Sequence, residues 1–135
     1  MIEKLNNIMK DEILSLEKLL GALDKQHEYV VKNEILKLEK VVEEIEECNR
    51  EIAKWEMERR NLTKGKTMSS IVEELKDMEI EKNYRKMRTL LEELNVQKDA
   101  NEMLIKQGLG FTTRMLQILN PDRSAKTYSP YGKMK

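Results

Sequence analysis

Apolar residues recur at intervals of three and four from Ile2 almost to Leu119, with few breakers to interrupt them. That spacing lays a continuous stripe along one side of an α-helix and destroys the alternation a strand needs. The glycines fall at 21, 65, 108, 110 and 132 and the prolines at 121 and 130, so long stretches have nothing to stop a helix. Charged residues make up 37% and aromatics 4%, a balance that suits long helices packed on narrow seams better than a broad mixed core. The fold class expected is all-α: an antiparallel helical bundle or coiled coil of about three long helices plus one short linking helix, with a flexible C-terminal tail.

The first segment carries Ile2, Leu5, Met9, Leu16, Leu20, Leu23 and Val30 on one stripe, broadened by Ile8, Ile13, Leu14 and Leu19 and continued by His27. Gly21 interrupts it and suggests a place where helices approach closely. The rhythm weakens at Asn33, expected as the N-cap of a second helix. That helix places Ile35, Leu38, Val42, Ile45, Cys48, Ile52, Trp55 and Leu62 inward. Glu43, Glu44, Glu46, Glu47, Lys54 and Arg59 form its solvated face. Gly65 fits the position just past its end. Ser69 or Ser70, followed by Glu73 and Glu74, looks like a capping box opening a short helix to about Asp77.

The last and longest run takes Ile80, Tyr84, Met87, Leu91, Leu94, Lys98, Asn101, Ile105, Leu109, Met115 and Leu119 into one seam. A helix of forty residues would be about 60 Å long and would outrun its partners. Asn120-Pro121 ends it, because the residue before proline leaves the helical region. Residues 1–119 are thus expected as a helical bundle domain and residues 120–135 as a basic tail, with Arg123, Lys126, Lys133 and Lys135 against Asp122.

Several function classes find no material here. The 25 basic and 25 acidic side chains cancel, whereas a duplex-binding protein needs a basic stripe, so no nucleic-acid partner is expected. No run of eighteen apolar residues exists, and the first residues already form amphipathic helix, so neither membrane insertion nor a signal peptide is expected. The single cysteine, Cys48, suits a reducing cytoplasm and a packing position. His27, the one histidine, has no companions in sequence, and a partly buried structural role outweighs base chemistry. Lys64-Gly65-Lys66-Thr67 lacks the glycine and strand of a phosphate loop. The acidic run Glu43–Glu47 spreads around a helix instead of converging on a cation. The chain is expected to be no enzyme and to need no cofactor or metal.

Two features point instead to protein recognition. Lys98 and Asn101 are polar positions in a seam: they either specify register inside the bundle or mark where the bundle ends. Beyond them, residues 103–119 offer Met103, Leu104, Ile105, Leu109, Phe111, Met115, Leu116, Ile118 and Leu119, more apolar surface than a narrow seam uses. The stretch is free of acids and softened by Gly108 and Gly110, which suits a surface that adapts to a partner; packing within the bundle or against a second copy is the other reading. Tyr128 and Tyr131 in the tail are either a docking peptide or aromatic residues of a tail without a role.

The pattern resembles the FlgN-type flagellar export chaperones along essentially the whole chain. The resemblance is carried by Leu16-Glu17-Lys18-Leu19-Leu20, by Arg59-Arg60-x-Leu62, by the short linking helix, and above all by Asn101-x-x-Leu104-Ile105-x-x-x-Leu109-x-Phe111 with a tail containing Tyr and Gly. It implies a cytoplasmic chaperone for hook-associated proteins of the hook–filament junction. Such a chaperone binds their C-terminal helical segments, prevents premature assembly and delivers them to the flagellar type III export apparatus. The binding residues it implies are Met103, Leu104, Leu109, Phe111, Met115, Leu116, Ile118 and Leu119, with Tyr128 and Tyr131 of the tail. The alternative that the residues leave open is a structural coiled-coil scaffold or stalk subunit acting through self-association. The same stripes are compatible with a three-helix monomer and with a homodimer.

Overall fold

Helix α1 (Ile2–Lys32) is the spine on which α2 (Ile35–Leu62) and α4 (Met78–Gly108) are laid, with the short α3 (Met68–Leu75) carrying the chain from one to the other. The structure is a computed structural model that describes residues 1–108. The pairs Lys25–Glu44, Ser15–Glu51 and Glu12–Arg59 show α2 running antiparallel to α1. The pairs Asn6–Asn83, Glu17–Lys86 and His27–Asn101 advance together, so α4 runs parallel to α1. The result is an up–down–up helical bundle, and no strand occurs among the described residues. Helices α1 and α4 both span 31 residues, about 46 Å each at 1.5 Å per residue. The expected continuation of α4 to Leu119 lies outside the described residues.

Because α1 has neighbours on two sides, it buries more than one stripe. Leu5, Met9, Leu16, Leu23 and Val30 are joined by Ile8, Ile13 and Ala22. The outer helices bury single seams with steps of three and four. On α2 the fully buried residues are Leu38, Val41, Ile45 and Cys48, followed by half-buried Ile52, Trp55, Arg59 and Leu62. On α4 they are Ile80, Asn83, Met87, Leu90, Leu94 and Asn101, with Gln97 half-buried in the same row. This corrects the expected α4 seam at three places. Leu90 is buried and Leu91 is 47% exposed; Asn83 is buried and Tyr84 only half; Gln97 takes the place expected for Lys98, which is exposed. On α2, Val41 and not Val42 is fully buried, and Ile35 is 46% exposed.

The breaks between helices are closed by backbone geometry at non-glycine residues. Asn33 is not an N-cap: it ends α1 in the left-handed region at φ 58°, where its N–H donates to the Val30 carbonyl while that of Glu34 donates to Tyr29. Asparagine tolerates this conformation better than most residues. At the end of α2 the same pair of bonds uses Lys64 in the left-handed position and places Gly65, also at positive φ, one residue later than expected. The cap of α3 is Thr67, two residues before the expected Ser69; its Oγ1 accepts from the Ser70 N–H at 3.3 Å. Extended backbone at Thr67 leaves both serines inside the first turn. Asp77 caps α4 by accepting from the Ile80 N–H at 3.0 Å. The same carboxylate oxygen accepts from Asn6 Nδ2 at 3.4 Å, and Asn6 Oδ1 accepts from Asn83 at 3.0 Å. A cap has thereby become the anchor between the lower ends of α1 and α4.

Gly21 does not mark a close approach. It is exposed, and a Cβ added there would meet nothing within 4 Å. Gly21→Ala is expected to stabilise the protein by about 1 kcal/mol, since alanine gains helix propensity and nothing is displaced. A urea midpoint that falls upon substitution would show that the position is sterically closed in solution.

The candidate site at the end of α4

The upper half of α4 is held to α1 through a buried amide. Asn101 is only 2% exposed, and its side chain makes four hydrogen bonds. Its Nδ2 donates to the Leu23 carbonyl at 3.0 Å and to Gln26 Oε1 at 2.9 Å. Its Oδ1 accepts from Gln97 Nε2 at 3.0 Å and lies 3.1 Å from His27 Nδ1. Because the backbone carbonyl fixes which end of the amide is nitrogen, His27 must present a proton on Nδ1. The histidine is therefore a hydrogen-bond donor within the bundle, matching the structural role expected for it. Of the two readings of Asn101, burial favours the register-specifying one: the bundle continues through this level. Lys98 has no place in that seam.

Met103 and Leu104 are the expected binding residues that fall within the described part, and their surroundings differ. Met103 is 57% exposed, while Leu104 is half-buried and packs against the hydrophobic core. Leu109, Phe111, Met115, Leu116, Ile118, Leu119, Tyr128 and Tyr131 lie outside the described residues. The register of α4 on α1 bears on them indirectly. With Asn101 level with Leu23–His27, the end of α4 at Gly108 is level with the end of α1 at Lys32. No length of α1 remains above that point.

The chemistry-bearing residues elsewhere sit in structural roles. Cys48 is buried; burial pushes its thiol above the usual range, helped by the carboxylates of Glu44 and Glu51, so the reactive thiolate is disfavoured. Glu44 and Glu47 face Lys25 and Arg50. Among the described residues no three metal-binding side chains converge, and no helix is long and apolar enough to cross a membrane. Sequence reasoning missed the ion pair between Glu12 and Arg59. Arg59 was expected on the solvated face, yet its Nε and Nη2 reach the two oxygens of Glu12 at 2.9 and 3.4 Å, with side chains only 13% and 5% exposed. The signal was present: Arg59 continues the three–four spacing of Ile52 and Trp55 toward Leu62.

Neither a curated protein nor a solved structure matches the chain. A family model does so over its whole length: the one described as FlgN protein spans residues 1–135. The all-helical bundle agrees with that match, and the chain belongs to the FlgN family of flagellar export chaperones.

Proposed function

We propose that this protein is a cytoplasmic chaperone that binds the C-terminal helical segments of hook-associated flagellar proteins. It keeps them from assembling early and hands them to the type III export apparatus. The observation that carries the reading is the full-length family match. Physical chemistry supports where the contact is made. Helices α1 and α2 bury their seams against each other, and α1 runs out level with Gly108, where residues 109–119, the later part of the acid-free apolar stretch, begin. Exposed Met103 leads into that stretch, and Tyr128 and Tyr131 supply further aromatic contacts.

An amphipathic client segment can bury its apolar side against such a surface as a helix. Ordering a client that is unfolded for export costs part of the interaction energy, which keeps the complex releasable without nucleotide chemistry in the chaperone. The test is isothermal titration with a C-terminal fragment of a hook-associated protein. Phe111→Asp combined with Met115→Asp is expected to weaken binding about 30-fold or more while helical circular dichroism is kept. No binding by the parent chain, together with stable self-association, would favour a structural coiled-coil role instead.

A further inference from the structure

Helix α4 is fastened to α1 in two chemically different ways along its length. Over residues 80–94 the seam is mainly apolar, with Ile80, Met87, Leu90 and Leu94 buried around a single buried asparagine, Asn83, which donates to Asn6. Lys10–Glu79 at 2.6 Å and Glu17–Lys86 at 3.5 Å tie the flanks of the same section. Above Leu94 the next two seam positions are Gln97 and Asn101, and the fastening is the amide cluster with Leu23, Gln26 and His27. Leu104 adds a half-buried apolar contact.

We propose that residues 97–108 form a latch, a section of α4 that leaves α1 and returns as a unit while α1, α2 and residues 80–94 stay folded. Apolar burial is what makes opening costly, in proportion to the area re-exposed to water. Hydrogen bonds cost less to open, because water replaces the partners of each group that is released. A section whose seam is largely amide therefore opens at lower free energy than one whose seam is leucine, isoleucine and methionine. The same amide makes the closed state specific. Asn101 finds all four partners only at one register, and a slip along α1 would leave it buried with groups unpaired. Opening carries Leu104 off the core beside already exposed Met103, so the apolar surface at this end is larger in the open state. The inference rests on the α1–α4 contacts and holds whichever protein the chaperone carries.

The test is residue-resolved amide hydrogen exchange by NMR on the full chain in increasing, sub-denaturing urea. Protected amides of 97–108 are expected to share one opening, at least about tenfold faster than that of 80–94 and with a shallower urea dependence. Asn101→Asp puts an oxygen where Nδ2 now faces the Leu23 carbonyl and Gln26 Oε1. It is expected to accelerate exchange in 97–108 by about tenfold more without moving 80–94. A single opening common to all of α4 overturns the proposal. So do rates graded residue by residue toward Gly108, which mean simple fraying, and a variant that accelerates both sections alike. Should Asn101→Asp fail to fold, the comparison of the two sections in the parent chain decides the matter alone.

Discussion

Arg59→Ala is expected to lower the unfolding free energy by about 3–5 kcal/mol, which is a large part of what a domain of this size has to spare. Glu12 and Arg59 join α1 to α2 near the lower end of the bundle, with Glu12 nearly sealed from solvent. Taking away the guanidinium leaves a carboxylate that has lost its water on folding and now lacks its partner. The penalty comes from that stranded charge, not from the worth of the pair itself. Replacing both residues together, Glu12→Leu with Arg59→Met, is therefore expected to recover most of the loss, to within about 1 kcal/mol of the parent protein. Urea denaturation followed by circular dichroism measures all three proteins. A single Arg59→Ala variant within about 0.5 kcal/mol of the parent would mean the pair is solvated in solution.

Leu90→Ala and Leu91→Ala are expected to behave very differently although the residues are neighbours and chemically identical. Leu90 is 7% exposed in the α1–α4 seam, and truncating it removes transfer free energy and leaves a cavity, about 2–5 kcal/mol in all. Leu91 is 47% exposed, and its truncation is expected to cost less than about 1 kcal/mol. The same denaturation measurement distinguishes them. If Leu91→Ala proved the costlier, α4 would sit rotated from the register described, and the Asn101 cluster would have to be rebuilt with it.

That pair of leucines shows where sequence reading reaches its limit. The apolar spacing identified a helical chain, and the second helix, the short helix and the last helix all fall close to where Asn33, Gly65 and Asp77 divide them. Which member of an adjacent apolar pair points inward is a different matter. A helix advances 3.6 residues per turn, so steps of three and four are equally admissible locally. The sequence 90–91 offers both choices until a partner helix selects one. The same holds for Val41 and Val42, and for Gln97 against Lys98.

Capping was legible as chemistry but not as position. Asn33 was rightly a terminus, yet its tolerance of the left-handed region made it an end where its side-chain oxygen suggested a beginning. The proposed binding stretch is visible as a composition, through its missing acids and its methionines, and the bundle register adds that α1 ends level with Gly108, within that stretch.

The chain's own residues settled the helical class, the order of helices among the described residues and the family pattern from Asn101 onward, because periodicity and composition are local properties. Only the tertiary structure decided that Asn101 is locked inside the bundle, that Glu12 and Arg59 form a buried pair, and that α4 runs parallel to α1. Each of these depends on residues 47 to 78 positions apart meeting across a seam. No local pattern carries that information, since a polar residue on an apolar stripe looks the same whether its partner is water or a buried side chain from another helix.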